Sequence, residues 1–237
     1  MNAQTQKSII EGPAGAIEIA VDAPTGSPVG VAVLAHPHPL FGGTLDNKVV
    51  QTMARAFVQA GWTTVRFNFR GVGQTEGVHD EGRGELDDFL AVVEHVAPLA
   101  QAAGTRLALA GFSFGAYVTT HAFARLHPQR PVFRLVLVGT SVSRAPAAPI
   151  AADAHPITLV IHGEHDDTVL LSDVMDWARP QARVWRWPVS RSVPMSPRTP
   201  SPGFIRSGLF SGWCWSAPAS AAPRLRPSPP RRIRSPW

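Results

Sequence analysis

The sequence predicts an α/β fold built on a doubly wound, mostly parallel sheet, and three observations carry that prediction. Short apolar runs alternate with longer amphipathic ones, the order in which strands and crossover helices read along a chain. Runs such as "RLVLVG" and "ITLVIHG" are apolar almost throughout, which suits strands covered on both faces rather than one. The stretch "RLALAGFSFGAYVTTHAF", Arg106 to Phe123, passes from a small-residue strand into a glycine-flanked turn and leaves as a helix. A chain of 237 residues can bury a full core as one globular unit, so no second folded domain is required.

Taken in order, an edge strand is expected near Ser8 to Glu11, followed by strands at Ile17 to Val21 and Val29 to Ala35 flanking the turn "DAPTGSP". After the loop "HPHPLFGGT", Val50, Met53, Ala54 and Phe57 recur at i, i+3, i+4 and i+7 on one helical face, and Gly61 is placed to end that helix. Thr63 to Phe69 is the next strand. Beyond "RGVGQTEG" a helix starts near Glu85 with Leu86, Phe89, Leu90 and Val93 on one face, and Pro98 marks its end or a kink. The strand Arg106 to Ala110 leads into the serine turn, followed by a helix from Ala116 to Leu126. Strands at Phe133 to Val138 and Ile157 to Ile161 and a helix from Leu171 to Ala178 complete the pattern. No internal repeat is visible.

Charge is unevenly placed. From Arg179 to Trp237 the chain holds 11 Arg, no Lys and no acid, which leaves 11 basic against 17 acidic residues before it. The body is therefore acidic, and the high overall pI gives it no basic groove for nucleic acid. Cys214 is the single cysteine, so no intrachain disulfide forms. The polar start "MNAQTQKSIIEGP" lacks a secretory pattern, and no run approaches the roughly 18 apolar residues of a membrane span. The expectation is a cytoplasmic protein with no membrane partner; nothing fixes its oligomeric state.

The turn Gly111-Phe112-Ser113-Phe114-Gly115 carries the chemistry. In a strand-to-helix corner this tight, the apex residue is strained and its side chain projects at the carboxyl edge of the sheet. Side chains at Gly111 and Gly115 would collide with the neighbouring strand and helix. The helix start leaves N–H groups free, so that of Phe114 can face an oxyanion forming beside Ser113. A serine hydroxyl needs a base to take its proton and a carboxylate to orient that base. In "LVIHGEHDDTVLL", Asp166 follows a strand end at the spacing Gly163-x-x-Asp166, which makes it the orienting acid ahead of Asp167.

These pieces together, "AHPHPLFGGT", "FNFRGVGQTEG", "GFSFGAY" and "HGEHDDTV" in this order, resemble a small, lidless member of the α/β-hydrolase superfamily over about Lys7 to Ala178. The resemblance implies an α/β-hydrolase fold with no cofactor and no metal. It implies Ser113 as nucleophile, Asp166 as triad acid, and an oxyanion hole from the N–H groups of Phe114 and of His38 or a residue just beyond it. The substrate implied is a small ester or related acyl compound, turned over through an acyl-enzyme in an open site, since about 18 residues between two strands are too few for a cap.

The family order is Ser, acid, then His on a loop after one further strand. No histidine follows His165; the nine are His36, His38, His79, His95, His121, His127, His155, His162 and His165. The same stretch changes composition, with 12 of the 23 prolines, 5 of the 7 tryptophans and no acid after position 178, as a GC-rich gene read out of frame would give. The expected organisation is thus a core over 1–180, lacking its final strand and helix, and an Arg/Pro/Ser/Trp-rich, disordered tail over 181–237. The expected activity is a serine hydrolase crippled by the absent histidine, the alternative being a catalytically inactive binding protein on the same fold. A metal site on "HPH" and "HGEHDD" is disfavoured because the first lacks acidic and third-histidine partners close by and the glycine corner would go unexplained, and Glu76 stands where a dinucleotide fingerprint needs its third glycine.

Overall fold

In the computed structural model the described residues are 5–102, 106–127, 129–142, 147–150, 157–179 and 183–187. All fall within the first of two contact units, Met1–Val193 and Pro194–Trp237. Of the tail expected over 181–237, residues 183–187 are described and form a strand; the remainder lies outside the described residues.

Eight strands and four helices follow one another: β1 (Gln6–Gly12), β2 (Gly15–Asp22), β3 (Gly30–Ala35), α1 (Lys48–Gln59), β4 (Trp62–Phe67), α2 (Arg83–Ala102), β5 (Arg106–Phe112), α3 (Phe114–Leu126), β6 (Arg134–Val138), β7 (Ile157–Gly163), α4 (Leu171–Ala178) and β8 (Arg183–Trp187). They form one sheet in the order β1-β2-β4-β3-β5-β6-β7-β8. β1 and β2 form an antiparallel hairpin against β4, and every pair from β4 through β3 to β8 is parallel. The carboxyl ends of β3, β5, β6 and β7 therefore share one rim, the edge at which open α/β sheets bind ligands.

Burial on both faces follows from residue alternation along the central strands. Val31, Val33 and Ala35 of β3 face the larger core with Phe67, Phe89, Leu109, Val118 and Phe123, and α2, α3 and α4 cover that side. Ala32 and Leu34 face the other side, with Ala108 and Ala110 under Val50, Met53, Ala54 and Phe57 of α1. All four periodic residues of α1 are thus buried as their spacing predicts. Asn47 starts α1 by accepting the Val49 N–H at 2.9 Å, and Gly61, at φ 84°, turns the chain out of it.

Two expectations are corrected. α2 does not end at Pro98 but runs through it to Ala102. A proline removes one intrahelical hydrogen bond, and Val92, Val93, Val96 and Ala97, buried on the core, hold the helix across the gap. Nor does the sheet end at β7 without its final strand: β8 pairs with β7 from Leu159↔Arg183 to Gly163↔Trp187. Strand pairing uses backbone groups, which "RVWRW" supplies whatever its unusual composition. The closing helix expected after that strand lies outside the described residues.

Candidate active site

Ser113 stands between β5 and α3 at φ 55° and ψ −117°, one of two non-glycine residues with positive φ among those described. The corner is held from three sides. The Ser113 N–H donates to the Val138 carbonyl of β6 at 2.8 Å, the Ser113 carbonyl accepts the first helical bond from Tyr117 at 3.1 Å, and Thr119 Oγ1 donates to Gly115 O at 2.6 Å. A Cβ at Gly111 would strike the Gly115 carbonyl of the helix, and a Cβ at Gly115 would strike the Ala35 and His36 carbonyls at the end of β3. Both glycines are steric requirements of the turn. Ser113 occupies the N-cap position of α3 yet makes no capping hydrogen bond.

Beside it runs the loop after β3. His36 is fully buried; its Nδ1 donates to Pro37 O at 2.6 Å and its Nε2 accepts the Phe69 N–H at 3.0 Å, tying the ends of β3 and β4 together. Burial pushes its pKa down to about 4, against the opposing pull of that backbone bond, so the imidazole is neutral. Pro37 and Pro39 have no N–H. His38 Nδ1 accepts the Leu40 N–H at 3.3 Å, and the Phe41 N–H donates to His38 O at 3.1 Å. The His38 ring lies 4.8 Å from that of Phe114, so the structure brings His38 and Phe114 together.

Asp166 follows β7 on the same carboxyl rim, two strands along the sheet from β5. Its Oδ1 accepts the Thr168 and Val169 N–H groups at 2.9 and 3.0 Å, which fixes the carboxylate. Asp167 is exposed. His162 Nε2 lies 3.9 Å from Asp166 Oδ2, but that nitrogen donates to Val169 O at 2.8 Å and the ring is sunk in the core, so it cannot serve the rim. Among the described residues, no group of three or more His, Cys, Asp or Glu could hold a metal ion, and no helix is long and apolar enough to cross a membrane.

A family profile described as serine aminopeptidase, S33, matches residues 40–162, which include the serine corner. An uncharacterized protein of Rickettsia prowazekii (strain Madrid E) is 32% identical over 165 residues, spanning 70% of this chain and 68% of its own. The chain belongs to the α/β serine hydrolases. A lidless α/β serine hydrolase from Xanthomonas campestris has 36% identity and a TM-score of 0.67, over 78% of this chain and 84% of its own. An α/β serine hydrolase homologue from Coxiella burnetii has 32% identity and a TM-score of 0.62, over 76% and 86%.

This hydrolase also has rim residues that the sequence reading did not single out. His79, in the loop after β4, lies 2.7 Å by Nδ1 from Oε1 of Glu85, an ion-pair distance, although the two are out of hydrogen-bonding alignment. Glu85 is fully buried at the start of α2 and accepts the Asp80 and Gly82 N–H groups at 2.9 and 2.8 Å. The His79 ring packs 4.8 Å from His38 and 5.6 Å from Phe114. The same loop is pinned to α2 by Arg70, whose Nε and Nη2 grip Asp88 at 2.9 and 2.8 Å, and to β2 by Glu18, which accepts from Asn68 and Gln74. The only signal in the sequence was an acid three residues after Gly82, in the first helical turn, where carboxylates favour free N–H groups.

Proposed function

We propose that this hydrolase acts on small carboxylic esters through an acyl-enzyme on Ser113. Ser113 Oγ gives its proton to a base and attacks the ester carbonyl carbon; the Phe114 and His38 N–H groups hold the resulting oxyanion; the bond to the alcohol oxygen breaks, and that oxygen leaves with the proton returned by the base. Water then cleaves the Ser113 ester and releases the acid. Asp166 is the carboxylate that orients the base, its Oδ1 already occupied by two N–H groups and its Oδ2 left for an imidazole. The observation that carries the reading is the strained, glycine-flanked Ser113 at the end of β5. An open site fits the short connection between β6 and β7, and the Xanthomonas campestris relative is a hydrolase without a lid.

Because no histidine follows Asp166, the base is not supplied from the family position and turnover is slow. Related triad enzymes stripped of a triad member keep only about 10³ to 10⁴ over water from the oxyanion hole and binding. The test is chemical rescue. A fluorophosphonate should label Ser113, identified by peptide mapping, and added imidazole should raise the labelling rate and the hydrolysis of p-nitrophenyl acetate in proportion to its concentration. Ser113→Ala should show neither. A folded chain whose Ser113 takes no label at any imidazole concentration is the inactive binding protein instead.

A further inference from the structure

Three large apolar side chains stand in solvent at the rim beside Ser113: Leu40 at 68%, Phe41 at 82% and Val78 at 81% exposed. They come from two different loops, those after β3 and after β4, and meet around a set of rings. Phe41 lies 4.7 Å from His38 at 51°, His38 lies 4.8 Å from His79 at 45°, and both imidazoles contact the ring of Phe114. Val78 is the chain neighbour of His79, and Leu40 donates its N–H to His38. His36 ties the start of one loop to Phe69 at the start of the other, and Glu85, Arg70 and Glu18 hold the second loop further along.

We infer that this patch is the acyl-recognition subsite and that it takes a flat, uncharged aromatic acyl group. The inference rests on the serine-hydrolase reading for its place. A carbonyl whose oxygen sits between the N–H groups of His38 and Phe114 carries its substituent against the side chains of those same two residues. Tilted rings at 4.5 to 7 Å offer edge and face contacts that a planar ring returns and a saturated one does not. Burial first, and the neighbouring His79 second, hold the His38 imidazole below its usual range, although Glu85 pulls the other way. The His38 ring is therefore biased toward its neutral form, which suits contact with an uncharged ring.

The test needs no turnover. The chain is titrated with 3-phenylpropanamide, with 3-cyclohexylpropanamide and with succinamate, while the ring resonances of His38 and His79 are followed by NMR. The phenyl compound should shift both imidazoles and bind at least about threefold tighter than its cyclohexyl counterpart, with succinamate not binding at the patch. Phe41→Ala, at a site too exposed to threaten the fold, should erase the preference. Equal affinity of the two ring compounds, imidazole shifts with succinamate, or shifts that follow protein concentration rather than the amide would overturn the subsite. Labelling of Ser113 by a fluorophosphonate, measured on the same sample, reports on the serine-hydrolase reading separately.

Discussion

Replacing Ser113 by glycine should stabilise the protein, and replacing it by alanine should not. Ser113 holds φ 55° and ψ −117° because β6 grips its N–H and α3 its carbonyl, so the backbone cannot relax whatever the side chain. A non-glycine residue in such a region costs about 1 to 3 kcal/mol. Glycine removes that strain but adds freedom to the unfolded chain, a penalty of about 0.5 to 1 kcal/mol. The net gain is about 1 kcal/mol, or about 2 to 4 °C in melting temperature for a domain of this size. Alanine keeps the Cβ, and since the serine hydroxyl makes no capping bond, Ser113→Ala should melt close to the parent. Urea unfolding and calorimetry of the three proteins side by side measure the difference. Ser113→Gly melting at or below Ser113→Ala would show that the corner stores no strain and that the steric argument for the nucleophile is wrong.

Other changes test the surroundings of that corner. Gly115→Ala drives a Cβ into the Ala35 and His36 carbonyls, and should cost about 2 kcal/mol or more in urea unfolding while slowing Ser113 labelling; an unchanged midpoint would refute the collision. His36 gives a pH dependence of known sign. Its unfolded form binds a proton below pH 6.5 and its folded form refuses one until about pH 4, so its stability contribution is complete above pH 6.5 and is lost as pH falls toward 4. That loss is about 3 kcal/mol, and unfolding curves of the parent and His36→Gln between pH 7 and pH 4.5 should converge accordingly. Arg70→Met strands the buried Asp88 carboxylate and should cost about 3 to 5 kcal/mol, which the further change Asp88→Leu should largely return. Asp166→Asn should slow imidazole-rescued acylation by at least about tenfold and Asp167→Asn should leave it unchanged; the reverse order would assign the acid to Asp167.

What the sequence revealed follows the range over which each feature is encoded. The buried face of α1 needs only Val50, Met53, Ala54 and Phe57 at helical spacing, and the serine corner needs only two glycines around one residue, so both were legible. The bounds of α4, Leu171–Ala178, agree with the reading for the same reason. Pro98 misled because local preference was outweighed by four buried neighbours on α2. β8 misled because the sequence "RVWRW", Arg183 to Trp187, follows an abrupt change of composition, whereas its pairing with β7 needs only backbone groups. His79 and Glu85 stayed hidden since their partnership depends on a loop fold set by Asp88 and Glu18, residues brought in from α2 and β2.

The strain at Ser113 also bears on the choice between a hydrolase and a binding protein. A turn that only joins β5 to α3 has no use for a hydroxyl that caps nothing, in a backbone conformation that glycine adopts freely. The same corner uses two glycines to bring α3 against the carbonyls ending β3, and the Phe114 ring lies 4.8 Å from that of His38. The loop of His38 in turn is held by His36, kept neutral by burial so that it can accept from Phe69 while donating to Pro37. In the proposed reading, the strain at Ser113 is the local cost of holding an oxygen nucleophile at the rim. A surface that merely bound an ester would need the ring patch at Phe41 and His38 and no strained serine, so the corner at Ser113 favours the proposed hydrolase over the binding protein.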